Sequence, residues 1–141
     1  MSMREYGVND YGLLLTRETM MALAAKYCED FTEEDFEDDP FGFCESIIEI
    51  TGDKIDYIGQ FTGEANILED DGSVRWGCET VNYDDDCIYY VPINRQISLF
   101  KSAYENMEDI INDFKSRIGE YMPDDFNYRD NICQIVGTYW G

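Results

Sequence analysis

Twelve carboxylates mark out the chemistry this chain can do. They are Glu33, Glu34, Asp35, Glu37, Asp38 and Asp39 in one segment, Glu69, Asp70 and Asp71 in a second, and Asp84, Asp85 and Asp86 in a third. Acids this dense can serve as paired general acid and base, as ligands for a hard cation, or as a charged face for a basic surface. The chain has 31 Asp and Glu against 10 Lys and Arg, no histidine, and a formal net charge of −21 over 141 residues. The excess is concentrated. Residues 27–53 hold eleven acids and no base, and residues 55–93 hold nine acids against Arg75 alone, whereas residues 1–26 balance at zero. Like charges oppose compaction, so folding does not require this arrangement.

Two of the three chemistries are poorly supported. Without histidine the commonest general base and metal ligand are missing, and Ser-His and Cys-His nucleophilic pairs are impossible. There is no G-x-x-x-x-G-K-[ST] and no G-x-G-x-x-G, so no phosphate-cradling loop is signalled. With 31 acids a carboxylate pair arises by chance, so no enzyme activity, catalytic residue or cofactor is expected. The acid turn before Gly72 fails the EF-hand pattern, because the ligand positions fall on Ile67, Glu69 and Asp71 and the first is apolar. No metal site is therefore expected, and a calcium-binding domain is the weakest alternative. The five cysteines (Cys28, Cys44, Cys78, Cys87, Cys133) are odd in number and none form C-x-x-C. They read as reduced thiols, with a Cys78–Cys87 bridge across a hairpin as the leading exception.

The elements that must carry the acids follow from periodicity and punctuation. A single globular domain over 1–141 is expected, because 44% hydrophobic and 15% aromatic residues are too many for a disordered acidic tail. Thr16 caps a helix whose apolar face is Met20, Ala24, Tyr27 and Cys28. Thr32 caps a short acidic turn, and Asp39-Pro40 breaks it before a second short helix with Phe43, Ile47, Ile48 and Ile50 buried. The middle reads as an antiparallel meander through 55–61, 65–68, 74–76, 80–83 and 87–91. Its turns are Asp70-Asp71-Gly72-Ser73 and Asp84-Asp85-Asp86. Residues 98–121 give the clearest helical period, with i,i+4 pairs Lys101–Glu105 and Asp113–Arg117, and Pro123 stops it. Residues 131–140 read as a final strand. The predicted fold is α+β: an antiparallel sheet of about 4–5 strands, one long helix from the C-terminal half packed on it, and a shorter N-terminal helix.

The third chemistry, electrostatic recognition, remains. Phe31, Phe36, Phe41 and Phe43 lie among the acids of 29–43, and Tyr83, Tyr89 and Tyr90 flank Asp84–Asp86. Acids alone keep a protein soluble; aromatics among them supply interface anchors. A core role is equally open for these rings, Tyr83 and Tyr89 above all. Free nucleic acid and anionic lipid repel such a chain, so neither direct nucleic-acid binding nor a membrane is expected. No apolar run reaches the ~20 residues of a membrane span, and none follows Arg4 as in a signal peptide. A cytoplasmic location is expected.

In size, charge, aromatic content and lack of a catalytic motif the chain resembles the small acidic inhibitors that phages and mobile elements use against restriction or CRISPR nucleases. That resemblance implies a partner with a basic nucleic-acid-binding groove, a nuclease or Cas effector, met in the host bacterial cytoplasm. It makes the twelve acids the partner-binding residues. The alternative is an acidic adaptor or immunity-type protein that binds a basic partner without mimicking nucleic acid. Oligomeric state is left open.

Overall fold

Leu13, Leu14 and Leu15 are all buried, an apolar run with no alternation, so the strand that carries them is covered on both faces. The computed structural model, which describes residues 4–71, 73, 74, 81–93 and 107–140, shows why. Four antiparallel strands, β1 (Glu5–Leu15), β2 (Asp56–Ile67), β3 (Val81–Pro92) and β4 (Ile132–Trp140), close into a small barrel in the order β1-β3-β2-β4. Leu14, Phe61, Ala65, Ile88, Tyr90, Cys133 and Ile135 fill its interior. Leu13, Leu15, Val91 and Ile132 face outward into a second core shared with the helices.

Those helices are α1 (Arg17–Tyr27), α2 (Glu33–Asp38), α3 (Pro40–Ile50) and α4 (Met107–Ile118), with a short 3-10 turn at Arg129–Asn131. The starts of α1, α2 and α3 each follow a side-chain cap. Thr16 accepts the Thr19 N–H at 3.3 Å, Thr32 that of Asp35 at 3.0 Å, and Asp39 that of Gly42 at 3.2 Å with Pro40 opening α3. Met20, Leu23 and Ala24 bury α1, and Cys44 and Ile47 bury α3. On α4, Met107, Ile110, Phe114 and Ile118 form the buried stripe. Arg117 pairs with Asp113 at 2.8 Å and donates to the Pro92 carbonyl at 2.7 Å, tying α4 to the end of β3. None of the described helices is long and apolar enough to cross a membrane.

The fold is α+β with an antiparallel sheet, but several finer expectations are corrected. The sheet is not a meander. β4 pairs with both β1 and β2, from Glu5↔Trp140 to Leu13↔Ile132 and from Phe61↔Tyr139 to Ile67↔Cys133, and this double pairing closes the barrel. The separate strands expected at 55–61 and 65–68 are one strand running through Gly63. Gly63 lies opposite Gly137, and a Cβ on Gly63 would stand 2.6 Å from the Gly137 Cα. Asp84–Asp86 is not a turn. It lies inside β3, where the register against β2 slips between Phe61↔Asp86 and Gly63↔Tyr83, so the acids occupy a bulge. β1 begins the fold as an 11-residue strand ahead of the first helix. The long helix expected over 98–121 is described only from Met107, as the 12 residues of α4, beside 11 each in α1 and α3. α4 ends at Ile118, ahead of Gly119 and short of Pro123, and Ile50 is exposed. The Asp71-Gly72 hairpin has its first rung, a Leu68↔Val74 bridge with the Glu69 N–H donating to the Ser73 carbonyl at 2.7 Å. The expected strand at 75–76, the helix before Met107, the Lys101–Glu105 pair and Cys78 lie outside the described residues.

Candidate interaction surface

The acids of 33–39 are held on a short, well-anchored element. Thr32 caps α2, and Glu33, Glu34 and Asp35 fill its first turn, where the positive end of the helix dipole favours them. A six-residue helix has little stability of its own, so its place depends on packing. Phe36 supplies that packing. It is fully buried, with its ring 6.1 Å from Phe31 and 5.9 Å from Phe43, and the Arg17 guanidinium lies 5.8 Å over it. With Phe36 turned inward, Glu33, Glu34, Asp35, Glu37, Asp38 and Asp39 are all exposed. None of these six forms an ion pair among the described residues.

The neighbouring aromatics divide by role. Phe31, Phe36 and Phe43 belong to the core behind α2. Phe41 is 40% exposed, and its ring meets that of Tyr57 edge-on at 5.6 Å. Tyr57 in turn stacks on Tyr89 at 6.0 Å. The result is a short aromatic ladder from α3 onto the barrel, starting beside the acids. Tyr83 and Tyr89 are half-buried against the two cores, and Tyr90 is inside the barrel.

The structure separates the other two acid groups. Asp86 stands at a small cavity of about 130 Å³ between the helices and β3, sharing it with Phe36, Pro40 and Phe41. It therefore borders the α2–α3 segment. Asp84 is exposed on the same bulge, and the Asp85 side chain lies outside the described residues. Glu69, Asp70 and Asp71 belong elsewhere. Arg129 reaches Asp70 at 3.0 Å and Glu69 at 4.0 Å and donates to the Leu68 carbonyl at 2.8 Å. Asp71 accepts from the Ser73 hydroxyl at 2.6 Å and the Ser73 N–H at 2.9 Å, which holds its carboxyl below the usual range. This turn spends its charge on local structure.

No family model, curated protein or solved structure matches this chain. What it can do rests on its own geometry. The described thiols Cys44 and Cys133 are pushed up to about 11 and about 12 by burial, and both stay protonated at neutral pH. A protonated thiol is a poor nucleophile. Sequence reasoning missed two features: Arg129 as the partner of the second acid group, and a cleft at one end of the barrel that no local pattern announces.

Proposed function

We propose that this chain is an acidic interaction protein that occupies the basic nucleic-acid-binding groove of a nuclease or another DNA- or RNA-binding protein, as phage-encoded inhibitors do. The observation that carries the reading is the set of six exposed carboxylates from Glu33 to Asp39, in no ion pair among the described residues and held on an element anchored by Phe36. Neighbours three or four apart on a helix lie about 5–6 Å from each other. Such spacing can stand in for phosphates in a groove built for them. Asp84 and Asp86 extend the surface from the barrel side. The Glu69–Asp71 turn is left out of the proposed contact, because Arg129 pairs with Glu69 and Asp70 and Ser73 holds Asp71.

A second reading keeps the acidic face and drops the mimicry. The shortened acid track and the exposed Phe41 beside it also suit a protein-binding hot spot, in which an aromatic anchor is ringed by charge. A pull-down from bacterial lysate at low salt, eluted in parallel with duplex DNA and structured RNA, separates the two. Release of a nucleic-acid enzyme by DNA or RNA supports mimicry. A captured partner that nucleic acid cannot displace supports the adaptor. Capture of nothing refutes both.

A further inference from the structure

Five elements meet around one apolar hole. Leu15 ends β1, Met20 lies on α1, Phe36 on α2, Cys44 on α3 and Ile88 on β3, and none of the five is more than 2% exposed. All five line the cavity of about 130 Å³ that Asp86 borders. The first four belong to the core shared with the helices and Ile88 to the barrel interior, so the cavity lies where the two cores meet. Packed interiors leave few voids larger than a water molecule. A floor of Leu, Met, Phe and Ile gives water too few polar partners to settle there.

The opening is held in place. Arg17, Phe41 and Asp86 line the same cavity and are exposed. The Arg17 guanidinium lies 5.8 Å over the Phe36 ring. The Phe41 ring meets Tyr57 edge-on at 5.6 Å, and Tyr57 stacks on Tyr89, another lining residue, at 6.0 Å. Asp86 Oδ1 accepts the Cys87 N–H at 2.8 Å. A wall already ordered costs little to occupy.

The lining selects the ligand by size, charge and shape. An apolar cavity of about 150 Å³ admits benzene, so this one takes a single ring. Arg17 and Asp86 are its only charged lining residues, and they are opposite in sign. A cation meets Arg17, an anion meets Asp86 and a net charge of −21, and either loses its hydration over the apolar floor. Met20, Cys44 and Cys87 bring sulfur to the wall, and Phe36 and Phe41 bring rings, the surroundings that aromatic rings favour. We propose that this cavity binds a neutral molecule with one aromatic ring, of the size of benzene or phenol. The site goes beyond the acidic surface and uses none of the acids of 33–39.

The test is a titration of the whole chain at neutral pH, followed by side-chain methyl shifts in NMR. The probes are phenol, benzoate, cyclohexanol and the two-ring naphthol. Phenol should shift the methyls of Leu15, Met20 and Ile88 in a saturable way. Benzoate should bind roughly tenfold or more weakly, because its charge must be desolvated. Cyclohexanol should bind roughly threefold more weakly, for want of sulfur–ring contacts. Naphthol should be shut out. Cys44→Leu puts extra volume into the floor and should abolish phenol binding. Phe41→Ala, at an exposed position, should weaken it roughly threefold and decides the matter if Cys44→Leu does not fold. Benzoate, cyclohexanol or naphthol binding as tightly as phenol overturns the proposal. So do phenol shifts away from these methyls, phenol affinity unchanged in both variants, or no phenol binding. Glu34→Lys with Asp38→Lys should leave phenol binding unchanged, so failure of the acidic-surface reading and failure of this one are told apart.

Discussion

Replacing Phe36 by alanine tests how the acidic segment is held. The ring is fully buried between Phe31 and Phe43, beneath Arg17, and it is the only buried residue of α2. Its removal forfeits transfer energy and leaves a cavity, together about 3–5 kcal/mol for a buried Phe→Ala change. Domains are stable by about 5–15 kcal/mol, so this is a large share of the total. For a chain of this length, thermal unfolding followed by circular dichroism should move down by roughly 10 °C or more. Phe41→Ala is the paired control. That ring is 40% exposed and touches Tyr57 edge-on, so its loss should cost only about 1 kcal/mol. If Phe36→Ala destabilises no more than Phe41→Ala, α2 is not anchored through Phe36 and the rigid acidic face falls with it.

Glu34→Lys with Asp38→Lys should abolish capture of the basic partner while leaving the melting temperature nearly unchanged; an unaltered pull-down would place the contact elsewhere. Arg129→Ala frees the Leu68 carbonyl and the Asp70 carboxylate and should cost about 1–2 kcal/mol in urea unfolding. Gly137→Ala should destabilise the barrel strongly, because the new Cβ would lie 2.7 Å from the Gly63 Cα and against the Thr62 carbonyl; unchanged urea denaturation would contradict the close β2–β4 approach. Stability should fall as pH rises above 9. The Cys44 and Cys133 thiols ionise near 9 when unfolded but only at about 11 and about 12 when folded. The unfolded state then holds fewer protons, at about 1.4 kcal/mol per pH unit for each thiol. Alanine at both positions should flatten that slope.

What was legible in the sequence was local. Thr16, Thr32 and Asp39-Pro40 mark helix starts because a cap and a proline act within one turn. The α4 stripe shows because its spacing is set by one helix. The barrel was not legible, since closure depends on β4 finding two partners far away in the chain. β1 has a polar, glycine-containing first half that is a strand only because β4 lies beside it. Asp84–Asp86 imitates a turn, and only the slipped pairing with β2 shows it to be a bulge. Among the candidate site residues, the acids of 33–39 were readable because charge and exposure go together. The contact of Arg129 with Glu69 and Asp70 was not, because Arg129 is about 60 positions away.

The pairing of Glu5 with Trp140 has a consequence for how the molecule is made. A ribosome releases β1 first and β4 last, so β1 must wait for nearly the whole chain before its long partner exists. Until then β1 has only the Gly12–Leu15 stretch against β3, and β2 has an open edge along Phe61–Ile67. Contacts so distant in sequence close slowly, because the loop entropy is lost before the pairing rewards it. Open strand edges in that interval invite pairing with other chains. The heavy negative charge then has a use during synthesis, since nascent copies that repel one another are less able to pair edge to edge before the last strand seals the barrel.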